Sequence, residues 1–465
     1  MKVFCISIAL SQILFLFNCL ETRAGCRLVK DILPGISSSC STELTNVNGT
    51  LYFRANDGWE HGKELWKSNG TAASTVMVKD IHTSSIDYPS KLTNVNGTLY
   101  FGANDGIHGY ELWKSDGTSA GTVMVKDIRP GASGSSLSNF TNVNGTLYFQ
   151  ANDGVGGADE LWKSDGTAAG TEMVKDINPL GPSYPSEITN VNGTLYFRAN
   201  DGVHGNELWK SNGTAAGTDI VKDISDSAGS EPEQLTPAGS TLFFTADDGD
   251  HGRELWKSSG GESNTLMVED IFCYGESSNP LWLTQLGSRM VFTAYEPVHG
   301  RELWVYPKGY PPYLIKDIYY YSGLPWAGSD PEFLTVMDGA VYFAATAADG
   351  TARELWKSNG AEAGTVMVKD INPGASSSPS YITNVNGTLY FAANDGVHGT
   401  ELWKSDGTEA GTVMVKDINP SGGSFPEDLT NVNGALYFTA DDGEHGRELW
   451  ACKTTLPFLP LLLLE

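Results

Sequence analysis

An all-β chain closed into a nine-bladed β-propeller of four-stranded antiparallel blades is the fold this sequence predicts, and three features carry the prediction. One motif, clearest as ITNVNGTLYFAANDGVHGTELWKSDGTEAGT beginning at Ile382, is written nine times, with the tryptophan of each ELW at 66, 113, 162, 209, 256, 304, 356, 403 and 450. Spacings of 47 to 52 residues mark a repeat architecture. Each unit shows three tight-turn signals and one long connection, the chain path of a four-stranded meander that then steps to the next sheet. The two ends also complete one another. Leu28–Ile32 reads as a fourth strand with no blade before it, and Glu448–Trp450 as a third strand with no successor. An open superhelical array of the same sheets is the architectural alternative.

Within the eighth copy the first strand is ITNV, Ile382–Val385, closed by the hairpin dipeptide Asn386-Gly387. The second strand is TLYFAA, followed by the turn NDGVHGT. The third is ELWKS, followed by SDGTEAGT, and the fourth is VMVKDI. A Pro/Gly/Ser-rich stretch then leads to the next copy. LYF, LW and VMV place apolar residues on both faces of each strand. A sheet with one wet face would alternate strictly, whereas a blade is covered by a neighbour on each side.

The propeller is expected over 25–452. Residues 1–24 read as a cleaved secretory signal: Lys2, an apolar run from Val3 to Leu20, then Thr22-Arg23-Ala24. Residues 453–465 form a short apolar tail, too short to span a bilayer, so the mature chain is expected to have no transmembrane segment and to be extracellular. Export implies an oxidising compartment, and four cysteines remain after cleavage: Cys26, Cys40, Cys273 and Cys452. Aligned with the eighth copy, Cys452 takes the place of Ser405 and Cys26 that of Thr412. Those two positions flank a tight turn and are cross-strand neighbours, so a Cys26–Cys452 disulfide is predicted to close the ring. Cys40 and Cys273 fall on loops of separate blades and are not expected to pair.

The formal net charge is −26. Such a surface repels a phosphate backbone, which argues against nucleic-acid partners. It attracts cations, Ca²⁺ among them. Seven of the eight histidines lie in the turn between second and third strands: His61, His108, His204, His251, His299, His398 and His445. With Asp57, Asp105, Asp201, Asp395 and Asp442 beside them, these turns are the candidate ligand or Ca²⁺ sites. The competing reading is that each histidine only caps its turn. The Glu of ELW and the Asp of KDI occur in all nine copies, as a cation ring or as acceptors for neighbouring loops. No other cofactor is indicated.

The ELWKSDGT motif with its AGT-like tail resembles the secreted ELWxxDGT-repeat proteins, over roughly residues 28–450. That resemblance implies export and a propeller-like repeat architecture. The family has no assigned activity, so it supplies no catalytic residues.

Copies between 257 and 350 have drifted and hold unique aromatics: Trp282, Tyr319, Tyr320, Tyr321 and Trp326. This stretch is expected to form the functionally distinct side of the ring, where those rings stack on a sugar or merely pack their loops. No HExxH or phosphate-binding glycine loop is present. The expected function is therefore a non-enzymatic extracellular binding module for a glycan or protein. A glycan hydrolase or lyase built on the drifted blades, and a passive matrix or surface protein, are the alternatives.

Overall fold

The computed structural model describes residues 25–59, 61–82, 88–156, 158–226, 228–273, 275–320, 327–347 and 352–453. Residues 1–24, expected to be a signal peptide, the tail beyond 453, Tyr321 and Trp326 lie outside the described residues.

Thirty-six strands, β1 to β36 in chain order, form nine four-stranded antiparallel sheets among the described residues. The first complete blade is β2 (Thr42–Val47), β3 (Thr50–Asn56), β4 (Lys63–Ser68) and β5 (Val76–Lys79), hydrogen-bonded in that order. Seven more follow the same path. The ninth joins β34 (Glu427–Val432), β35 (Ala435–Asp441) and β36 (Arg447–Lys453) to β1 (Cys26–Lys30), the first strand of the chain. The nine blades form the predicted β-propeller. Each blade's first strand touches the first strand of the next, and β2 touches β34, so the cycle has no break.

Packing between blades follows from the apolar faces. Tyr52 and Leu65 of the first blade share one buried cluster with Leu99, Phe101 and Trp113 of the second. The phenylalanine equivalent to Phe53 is fully buried in all nine blades. It sits opposite the repeated tryptophan in register, as Phe53 does Trp66. Burying these faces removes each sheet from water on both sides.

A lysine reinforces most junctions. Lys79, ending the fourth strand of one blade, lies 5.7 Å from the Trp113 ring of the next and donates to the Thr122 carbonyl at 2.8 Å. Lys30, Lys126, Lys175, Lys222 and Lys416 stand over Trp66, Trp162, Trp209, Trp256 and Trp450 in the same way. The indole is thus held through its π face, and among the described residues its buried Nε1 has no hydrogen-bond partner in any blade.

The repeated glutamate of ELW is buried in every blade. Glu302 accepts from the Ser329 N–H at 2.8 Å, the Ser329 hydroxyl at 2.6 Å and the Tyr319 N–H at 3.1 Å. Glu448 accepts from Ile32 and Ser39 N–H groups at 3.3 and 3.0 Å. These carboxylates pin the inter-blade loops to the third strand, and so act as acceptors for neighbouring loops.

Candidate functional site

The face that carries the inter-blade loops also carries the DGxHG turns, because each first strand begins beside the end of its second. Ser90 pairs with Gly102, and the Asn56 N–H donates to the Ser39 carbonyl at 2.7 Å. In the turns the histidine and its carboxylate hold each other. Nδ1 of His61, His108, His204, His251, His398 and His445 lies 2.7–2.9 Å from Asp57, Asp105, Asp201, Asp248, Asp395 and Asp442. His299 is bound to Glu296 instead. The second carboxylate oxygen of Asp105 accepts the Ile107 and His108 N–H groups, both at 2.9 Å.

These contacts set the electrostatics. Burial works to raise the carboxyl of Asp105, Asp201, Asp248, Asp395 and Asp442, but the hydrogen bonds from the turn outweigh it and hold each below the usual range. The same bonds raise His108, His204, His251, His398 and His445. Among the described residues no three His, Cys, Asp or Glu side chains come together as a metal would need. Cys40 and Cys273 are free and exposed.

The channel mouth is a different site, built by the first strands. Each begins with a bulge. Ser90 pairs with Gly102 and Thr93 with Tyr100, so Lys91 and Leu92 together face one residue of the neighbouring strand. The register shifts at the same point in all nine blades. In this bulge type the first residue is left-handed and ordinarily glycine. Here the positions hold Glu43, Lys91, Asn139, Glu187, Gln234, Trp282, Phe333, Tyr381 and Asp428, at φ between 55° and 62°. None is glycine. The threonine two residues on then ties neighbouring blades, as Thr335 donates to the Ile382 carbonyl at 2.7 Å.

Three consecutive bulge residues are aromatic. Trp282 and Phe333 have ring centroids 5.3 Å apart, and Phe333 and Tyr381 6.1 Å apart. The interplanar angles, 46° and 42°, are close to the one-ninth turn (about 40°) between adjacent blades. The three rings therefore keep one orientation relative to their own blades and follow the curve of the ring. With Asp428 and Glu43 they line a cavity of about 460 Å³. Burial raises the Asp428 carboxyl, with Glu427 adding to it, and burial also raises the Tyr381 phenol.

Of the described aromatics singled out in the sequence, Trp282, Tyr319 and Tyr320, the structure brings only Trp282 to this cavity. Tyr319 is half-buried and Tyr320 is 71% exposed, both beyond the fourth strand of the sixth blade, and neither lines it. Nor does any of the seven histidines. Phe333, Tyr381, Glu43 and Asp428 were missed. A partial signal was there: the residue two before the first-strand threonine varies from copy to copy, while that threonine is present in all nine.

No family model and no curated protein matches this chain. Among solved structures it is similar to prolyl oligopeptidase B from Galerina marginata, bound to a 35mer hydrolysis and macrocyclization substrate. The identity is 11%, covering 90% of this chain and 55% of that one, with a TM-score of 0.43. Oligopeptidase B from Leishmania major is 10% identical, over 77% of this chain and 53% of that one, with a TM-score of 0.41. A structure from a study of two prolyl endopeptidases is 11% identical, over 72% and 50%, with a TM-score of 0.42. The chain spans about half the length of each.

Proposed function

We propose that this protein is a secreted, non-enzymatic propeller that binds an extracellular glycan or protein at the mouth of its channel. The observation that carries the reading is the arc Trp282–Phe333–Tyr381. Trp282 and Tyr381 are 37% and 43% exposed, and all three rings line one cavity. Aromatic rings left in contact with water on a rigid frame are binding surface rather than core. The apolar leader at 1–24 and the Cys26–Cys452 disulfide are in keeping with export. No helix of the described residues is long and apolar enough to cross a membrane.

The repeated carboxylates favour binding over hydrolysis. The ELW glutamates are spent on backbone and serine hydrogen bonds, and the turn aspartates on histidine. The test is an array of extracellular glycans and matrix proteins probed with the wild-type chain and with Tyr381→Ala. Retention that falls in the variant supports the reading. Equal retention by both, or release of cleaved products from a retained polymer, overturns it.

A further inference from the structure

The identity of the cavity's side chains narrows the ligand further. Its lining brings together three aromatic rings and two carboxylates, with no lysine or arginine. The two acids differ in what already faces them. Arg54 approaches Glu43 to 3.8 Å, and the Leu92 N–H donates to Glu43 at 3.3 Å. Arg447 and Arg54 act on Asp428 through space, but Arg447 is ion-paired with Glu427 at 3.3 Å. Asp428 has no salt bridge among the described residues. It stands one blade beyond Tyr381, at the end of the aromatic arc.

Aromatic faces attract a cation through the ring quadrupole, and a nearby carboxylate adds a direct charge interaction. A neutral sugar would use the ring surface and make no ion pair with Asp428. The whole chain, at −26, biases approach in the same direction. We propose that the channel mouth recognises an alkylammonium group, cupped by Trp282, Phe333 and Tyr381 and facing Asp428. The inference rests on the channel mouth being the binding site.

The backbone supplies an independent reason to think these side chains are kept for contact. A left-handed conformation disfavours every residue but glycine, and bulky ones most. Nine bulges without a glycine carry eight different residue types. If the bulge were only a device for bending the strand, glycine would serve it better. The position instead behaves as a variable address on a fixed frame, and the arc from the sixth to the ninth blade is the part that reads as aromatic and acidic.

The ligand's source is separable. An ammonium group can arrive on a small amine or on a lysine side chain of a polypeptide. The experiment is calorimetric titration of the full chain with tetramethylammonium, with n-butylammonium and with a short lysine-containing peptide, against tert-butanol and a neutral chito-oligosaccharide. Trp282→Gly, Tyr381→Gly and Asp428→Asn are the variants. Glycine relieves the left-handed strain, so lost binding in the first two is not lost folding. The expected result is binding of ammonium probes only, weakened about tenfold or more by each variant. Preference for the peptide over the free amines assigns the group to a protein partner, and equal binding assigns it to small amines. Binding of the oligosaccharide alone, lost in the glycine variants, overturns the ammonium assignment and keeps the channel mouth. Binding of any probe that all three variants leave unchanged overturns both.

Discussion

Cys26 and Cys452 are register partners across β1 and β36, joined by a disulfide where the neighbouring blade pairs Ser405 with Thr412 through hydroxyls 2.7 Å apart. Ser68–Thr75, Ser115–Thr122 and Ser358–Thr365 repeat that hydroxyl pair. In those blades a tight turn links the two strands covalently. In the ninth blade the strands come from opposite ends of the chain, and the disulfide supplies the link.

Restoring the hydroxyl pair tests what the bond contributes. Cys26→Thr with Cys452→Ser keeps the local hydrogen bond and removes only the cross-link. Loop-closure entropy for a separation of 426 residues sets the expected loss at about 4–5 kcal/mol, an upper figure in that account. Denaturant unfolding of the double variant measures it. An unchanged midpoint would mean that blade-to-blade packing alone closes the ring.

Stability is expected to fall as pH rises from about 4.5 to above 7, the reverse of ordinary acid denaturation. Burial raises the Glu64, Glu111, Glu160, Glu254, Glu302 and Glu448 carboxyls from 4.5 to about 7. Between those values the folded chain binds more protons than the unfolded one, so its stability drops with rising pH. The raised turn histidines act in the same direction above their ordinary 6.5. The lowered turn aspartates act oppositely and cost stability only as pH falls below about 3.8. The optimum therefore lies near pH 4–5. Midpoints measured from pH 3 to 8, with Glu302→Gln as a flattening control, decide it. A midpoint that climbs between 4.5 and 7 would show these glutamates ionised in the folded state at no cost.

The architecture was legible because periodicity, turn dipeptides and complementary ends all describe backbone connectivity. The Cys26–Cys452 pair was legible for the same reason, since aligning two copies assigns strand partners. The channel site was only half legible. Trp282 stood out as a unique aromatic, but Phe333 and Tyr381 lie 51 and 99 residues along the chain by their numbering. Only the ring brings them side by side. The DGxHG histidines drew notice by their number, yet an Asp three or four residues earlier satisfies each side chain within its own turn or is replaced by Glu296. The turns repeat almost unchanged from copy to copy, whereas the bulge position that lines the channel-mouth cavity varies.

The lysine that ends the fourth strand is a test of how blades adhere. Lys79→Met keeps an apolar stem against Trp113 but removes the cation–π contact and the bond to the Thr122 carbonyl. The expected cost is about 1–2 kcal/mol. Thermal unfolding of the variant beside Trp113→Phe and the double variant gives the coupling. Additive effects would show that the lysine acts on the carbonyl alone.

The bulge makes the most counterintuitive prediction, that a glycine inserted into a strand will stabilise this protein. Lys91 has φ 62° and an exposed side chain. In a regular strand, replacement by glycine costs roughly 0.5–1 kcal/mol through the freedom it gives the unfolded chain. At a left-handed position the folded state is relieved of a steric penalty of about 1–2 kcal/mol, which outweighs that cost. Lys91→Gly is therefore expected to gain about 0.5–1 kcal/mol. Gln234→Gly, at φ 57° and also exposed, should behave alike. Lys114→Gly in the third strand of the same blade, whose Nζ donates to the Gly166 carbonyl at 2.8 Å, should lose stability instead. Denaturant midpoints for the three variants separate steric relief from chain entropy. If both bulge variants lose stability as the strand variant does, the left-handed backbone carries no strain, and the absence of glycine from nine bulges stops being a reason to look for a ligand there.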